Sequence, residues 1–485
     1  MRSRGFVPLP PVQIGALAAA LLCTTDCKGP VTPTVEPAGR LGWSYEVTAS
    51  PGGADLSIVG TFPRGTDRHF VVIDRADTFV VGVGVAVGPK PDAAWREVRR
   101  EGSEWLIPEC SRGCRVRYRY LLADGAGTWG DVALGRSDSG VIEAPPSTWL
   151  LRPAHTALGT PMRFHVATPP GESFVTGVFT APNTAPTEGI YEAHVGDFQQ
   201  LPYSAFGPLR LKDIGAGAAT LAILPGPIPE DLVVEWAEAS VAAVREFYGR
   251  PPVPHVLILV KPSFGDEVGF GMTMGFSGAA IVINVGKSTT REGFQRDWVL
   301  VHELVHTALP DVPEEQHWLE EGLATYVEPL ARYRHGGLTA SEVWTEWALK
   351  MKQGEPRAGD EGLDRTHTWG RTYWGGALFC LAADVEIRTQ SNGHASLETA
   401  LRAILEAGGN IATSWPLERI LETGARATGT PVLREVYEKM ARGPVPVDLP
   451  TMWHRLGVVL HGEEPVTFDD QAELAWVRKL MTPPR

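Results

Sequence analysis

The stretch "VHELVHTALPDVPEEQHWLEEGLATYVE", residues 301–328, carries the densest chemistry in the chain. His302 and His306 stand four apart, with Glu303 between them. On a helix that spacing puts both imidazoles on one face, about one turn apart. Two such nitrogens bind one zinc ion at about 2.0–2.1 Å, and the adjacent glutamate reaches a water in the metal's open position and removes its proton. A catalytic zinc needs a third protein ligand. The "DVP" at 311–313 breaks the helix, and a second helix opening near Glu315 offers two candidates, Glu320 and Glu321. Glu328 lies two turns beyond Glu321 on the same face, and is the candidate for a carboxylate that orients a ligand histidine. The competing reading is a charged helical hairpin with solvated Glu-Glu pairs and no metal.

These residues need elements to hold them. The pattern predicts one helix over 292–309, with Trp298, Val301, Leu304, Val305 and Leu309 as its apolar stripe. Upstream, "HVLILVKP" and "GAAIVINVG" read as buried strands separated by the glycine-rich turn "GFGMTMGFSG". Before them, "PEDLVVEWAEASVAAVREFYG" places Leu232, Trp236, Val241, Val244 and Phe247 near helical spacing, with Pro229 at its start. Beyond 336 the chain reads as mostly helical. Residues 40 to about 225 differ: short runs such as "SYEVTAS", "DLSIVGTF" and "VRYRYLLA" alternate with Gly, Pro, Asp and Ser clusters, the pattern of a β-sandwich-like region. The expectation is an α+β protein in which an N-terminal all-β region (36–226) precedes an α/β subdomain (227–335) and a helical C-terminal subdomain (336–485).

The bulk composition narrows the partners. The chain has 485 residues, 44 Lys+Arg against 57 Asp+Glu, and a net charge of −13. With no polybasic run, that balance excludes a nucleic-acid binder and charge-driven attachment to anionic lipid. Residues 1–35 read as a signal peptide and tether: Arg2 and Arg4, an apolar run at 12–22 too short to span a bilayer, and a Pro/Thr-rich stretch. Cys23 follows that run as in the lipid-attachment site of bacterial lipoproteins, so lipid anchoring and simple secretion are the two alternatives. No later apolar run is long enough to cross a membrane. The expected location is the cell envelope or the outside, where disulfides form. Cys110 and Cys114 flank a tight turn signal and are expected to bridge, the alternative being two free thiols. Cys380 reads as a buried thiol.

Trp318, Leu319, Glu321, Gly322, Ala324, Tyr326 and Glu328 resemble, position by position, the W-L-x-E-G-x-A-x-Y-x-E motif that follows HExxH in the gluzincin metallopeptidases. The resemblance selects Glu321 as third ligand and leaves Glu320 a solvated neighbour. It implies a thermolysin-like zincin fold, one zinc per chain, and hydrolysis of peptide or protein substrates with Glu303 as general base. The segment from His367, "HTWGRTYWGGALFCLAADVEIRTQ", is similar to the glycyl aminopeptidase-like family of that group. There Tyr373 takes the position whose hydroxyl donates to the oxyanion. Gly375 stands where that family has lysine, and His367 and Arg371 are rival donors. The family's PDZ domain is expected to be missing. In the superfamily the substrate backbone adds to the edge strand before the HExxH helix, which assigns substrate binding to Gly271, Met272, Thr273, Met274 and Gly275. Aminopeptidases of the group carry a glutamate there for the free amine; this stretch has none, and Asp266 and Glu267 are the nearest acids. Aminopeptidase and endopeptidase both stay open. Two other readings compete: a non-catalytic surface binding protein on the same scaffold, and a β region acting as an adhesion or carbohydrate module. The tryptophans of that region (Trp43, Trp95, Trp105, Trp129, Trp149) read as core.

Overall fold

Strict alternation of side chains builds the N-terminal part. In the strand Trp43–Ala49 buried and exposed residues alternate at every position, as expected where one face meets a core. The computed structural model describes residues 42–484 except 74, 89–92, 130–134 and 138. The expected signal peptide, tether and Cys23 lie outside these residues. Strand Trp43–Ala49 pairs antiparallel with Leu56–Arg64 and parallel with Pro161–Ala167, within a seven-stranded sheet. Two four-stranded sheets complete the β region. Trp43, Trp105 and Trp149 are buried in its core. Trp95 lies beneath the guanidinium groups of Arg115 and Arg117. Cys110 and Cys114 are joined by a disulfide, and Cys380 is a buried free thiol.

The sheet that carries the candidate site has five strands, in the order Arg210–Ile214, Ala219–Ile223, Val256–Ser263, Ala280–Gly286, Val268–Met274. Its central strands are apolar at nearly every position because both faces are covered. Ile258, Val260, Ile281 and Ile283 face the helices. Leu257, Leu259, Ala280 and Val282 face Val141, Val175, Tyr203 and Ala205 of the β region. Here the expected boundary at 226/227 needs correction. Two strands from before it, Arg210–Ile214 and Ala219–Ile223, belong to this sheet through parallel pairing of the second with Val256–Ser263.

The helices pack on the other face. Glu230–Tyr248 carries acids in its first turn and ends at left-handed Gly249, both favourable for a helix. The helix expected over 292–309 is two: Arg291–Arg296 and Val299–His306, divided at Asp297. The division has a local cause. The Asp297 carboxylate accepts from the backbone N–H of Val299 (3.1 Å) and Leu300 (3.3 Å), capping the second helix. It also accepts from Trp236 Nε1 (2.9 Å). Trp298 therefore leaves the apolar stripe and is exposed. His317–His335 follows, then a mostly helical remainder containing Gly376–Gln390. Among the described residues no helix is long and apolar enough to cross a membrane.

Candidate metal centre

The histidine helix Val299–His306 and the glutamate helix His317–His335 bring His302, His306 and Glu321 together. One donor atom from each lies within 4.8 Å of the other two. Glu321 Oε2 is 3.1 Å from His302 Nε2 and 3.6 Å from His306 Nε2. Ligands held at about 2.0–2.1 Å on a tetrahedral ion lie about 3.3 Å apart, so the observed pair brackets the spacing a zinc ion requires. Two imidazoles and one carboxylate are also a donor set of catalytic zinc, which leaves the fourth position to water. The residues fit the metal.

Glu321 is held as the anion that a metal ligand must be. Burial favours a neutral Glu321, but hydrogen bonds and charge from His302 and His306 outweigh it and hold the carboxyl far below its ordinary range. Burial lowers the His306 pKa, and the hydrogen bond and charge of Glu321 reverse that, raising it to about 9. Glu320, the other candidate ligand, turns outward: it pairs with His317 Nδ1 at 3.1 Å and accepts from Val312 N–H at 3.3 Å. The His317 ring sits 3.5 Å from Glu321 Oε1, at the mouth of the cluster.

Glu328 does not orient a histidine. Its carboxylate pairs with Arg332 at 2.9 Å, one turn further on. His302 Nδ1 is buried without a hydrogen-bond partner, so beyond the Glu321 contact at Nε2 this side chain is flanked by rings. Trp298 stands edge-on to it at 5.5 Å, and Tyr373 is nearly parallel to it at 6.2 Å. Trp298 and Trp369 are 51% and 61% exposed, and Trp369 stacks on Tyr373 at 5.7 Å, so aromatic surface flanks the cluster.

Tyr373 lies in a π-helical turn, Gly370–Gly375, that runs into the helix Gly376–Gln390. Burial, reinforced by the charges of Glu321 and Glu303, pushes its hydroxyl pKa well up, which keeps it a hydrogen-bond donor. The rival donors sit in different surroundings. Arg371 is buried, paired with Asp360 at 2.8 Å and bonded to the carbonyl of Gly354, while His367 is exposed. A close helix crossing brings Tyr373 to Glu321. A Cβ on Gly322 would lie 2.2 Å from Gly376 Cα, and one on Gly376 would lie 2.2 Å from the Trp318 carbonyl oxygen. Glycine at both positions lets the two backbones touch.

The strand Val268–Met274 is the sheet edge beside the histidine helix. Its five expected substrate residues divide. Gly271 and Thr273 face Glu303, with Thr273 Oγ1 2.6 Å from Glu303 Oε2. Met272 and Met274 point to the opposite face and pack against the β region, where Tyr203 O–H meets Met272 Sδ at 2.9 Å. Gly275 abuts the carbonyl of Ile411. Their side chains are structural, a consequence of strand alternation that the quoted run did not reveal. Asp266 and Glu267 are exposed. Sequence reasoning missed the cap at Asp297, although an Asp just before an apolar helical run is a start signal. It also missed His317 and the exposed rings.

No protein-family model matches this chain, and no curated protein matches it by sequence. Solved structures do resemble it. The aminopeptidase N family protein from Idiomarina loihiensis superposes with a TM-score of 0.59 at 12% identity, over 86% of this chain and 78% of that one. The M1 zinc metallopeptidase from Deinococcus radiodurans gives a TM-score of 0.48 at 16% identity, over 84% of this chain and 94% of that one. The likeness to the first establishes a shared fold: an N-terminal β region, a mixed α/β part and a helical C-terminal part.

Proposed function

We propose that this chain is a zinc-dependent peptidase that binds one zinc ion through His302, His306 and Glu321. The observation that carries the reading is the convergence of three metal-type donors within 4.8 Å, two from the helix that also carries Glu303 and one, Glu321, from the helix that follows. Bound there, zinc would polarise the scissile carbonyl and lower the pKa of a water toward neutrality. Glu303 takes the proton from the attacking water at a carboxylate oxygen and returns it to the leaving amine. The Tyr373 hydroxyl donates to the oxygen on which negative charge develops. The free edge of Val268–Met274 pairs with an extended substrate backbone, and the exposed rings of Trp298 and Trp369 favour apolar side chains near the cut. Gly271 and Thr273, the strand's residues facing Glu303, carry no charge to hold a substrate ammonium, which favours cleavage inside chains over removal of N-terminal residues.

Export is part of the proposal. The apolar run at 12–22 supports it, as does a disulfide that belongs to an oxidising compartment. Lipid attachment at Cys23 would tether the enzyme to the envelope.

The test is mass spectrometry of a mixed peptide library incubated with the chain from residue 30, beside Glu303→Gln and beside chelator-treated protein. Cleavage by the untreated wild type alone, with zinc retained in Glu303→Gln, is the expected outcome. Zinc bound without cleavage by either form would support a binding protein on this scaffold.

A further inference from the structure

We infer that Thr273 and Gly271 are positioning residues that hold the general base from the edge strand. The inference rests on the peptidase reading and goes beyond it. Strand alternation directs Gly271 and Thr273 toward the histidine helix and Met272 and Met274 away from it. The Thr273 hydroxyl lies 2.6 Å from Glu303 Oε2 and 3.0 Å from the Glu303 carbonyl oxygen. A hydrogen bond to a carboxylate at that distance is of the charge-assisted, short kind. Gly271 supplies the other half of the cradle. A Cβ there would lie 2.8 Å from Glu303 Cγ, 3.1 Å from Cδ and 3.0 Å from Val299 Cγ1. A glutamate has three side-chain torsions to fix, and freedom in them misplaces a base that must meet one water. Here the missing side chain at 271 lets the strand close on the methylenes, while the hydroxyl at 273 engages Oε2. Oε1 is left as the oxygen that takes the proton. The strand that would pair with substrate therefore also sets the base, so docking of a peptide backbone and placement of Glu303 share one element.

The experiment uses zinc-loaded wild type, Thr273→Val, Thr273→Ser and Gly271→Ala, with the best peptide from the library. Steady-state kinetics, zinc content, melting temperature and crystal structures are measured for each. Thr273→Val is expected to lower kcat by about 10- to 100-fold with KM nearly constant. Thr273→Ser should restore most of that loss, with zinc content and melting unchanged throughout. In the Thr273→Val crystal the Glu303 carboxylate should leave its wild-type rotamer. Gly271→Ala should displace it too. An unchanged kcat, a loss confined to KM, or an unmoved Glu303 in Thr273→Val would overturn the inference. Failure of the wild type to cleave anything would instead overturn the peptidase reading, and the Glu303 rotamers would still decide this one.

Discussion

Glu321 and Glu328 are the same residue type, seven apart on one helix, and their surroundings drive them in opposite directions. Two imidazoles surround the first and keep it ionised. The second is buried, and although Arg332 pulls its pKa down, burial together with the charges of Glu346 and Asp297 raises it from 4.5 to about 8. The folded chain thus keeps this proton where the unfolded chain has released it. Between pH 4.5 and about 8 the native state holds the extra proton, so its stability falls as pH rises through that window. Glutamine imitates the protonated form at all pH values. Glu328→Gln should therefore gain stability relative to wild type from pH 5 to pH 8, read by urea denaturation across the series; parallel stability profiles would contradict the assignment. The spacing in the sequence correctly showed that the two carboxylates share a helix face. It was silent on what covers that face, because a partner one turn away, Arg332, and an absent histidine look alike in a string of letters. The histidine pair was more legible, since its four-residue spacing is itself the geometry, whereas only the motif resemblance separated Glu321 from Glu320.

At the scale of elements, the centre depends on two helices whose backbones meet at Gly322 and Gly376. Glycine inside a helix costs roughly 1 kcal/mol against alanine. Its presence there signals a packing demand, and the sequence gives no hint of which helix makes it. Gly322→Ala puts a methyl into the Gly376 backbone, so the helices must part. The variant should lose roughly 1–3 kcal/mol of stability, as overpacked cores do. It should also lose most of its activity, because Glu321 is the next residue on one helix and Tyr373 lies one turn before the contact on the other. Melting curves and peptide cleavage measured together test this, and full activity in a destabilised variant would refute the link. Asp297 illustrates the same limit from the other side: apolar periodicity ran unbroken across 292–309, while a single capping carboxylate divided the helix.

For the whole molecule, the β region is a wall of the sheet that carries the candidate site. One face of that sheet, through Leu257, Leu259, Ala280, Val282, Met272 and Met274, packs on Val141, Val175, Tyr203 and Ala205. Just past the edge strand, Ser277 bonds to Asp197 and accepts from the His194 N–H. A chain beginning at residue 227 would expose that face and lose two strands. It should lack a cooperative thermal transition and bind hydrophobic dyes, as circular dichroism and dye fluorescence would report; a sharp transition would mean that the subdomain folds alone. The order of strands then helices was readable because local patterns carry it. The membership of Arg210–Ile223 in the second sheet was not, since a strand's composition does not name its neighbour and the pairing partner Val256–Ser263 lies a whole helix away.

The edge-on contact between Trp298 and His302 would let the protein report occupancy of the proposed metal centre. The chain has 15 tryptophans, most of them in apolar surroundings that give blue emission. Trp298, Trp369 and Trp476 are exposed, so their light falls toward the red, and Trp298 stands one ring away from a proposed ligand nitrogen. An open-shell ion such as cobalt(II) in the centre should quench that red edge selectively. Trp298→Phe should diminish the response, so that ion occupancy can be followed by tryptophan fluorescence with no substrate in the cuvette.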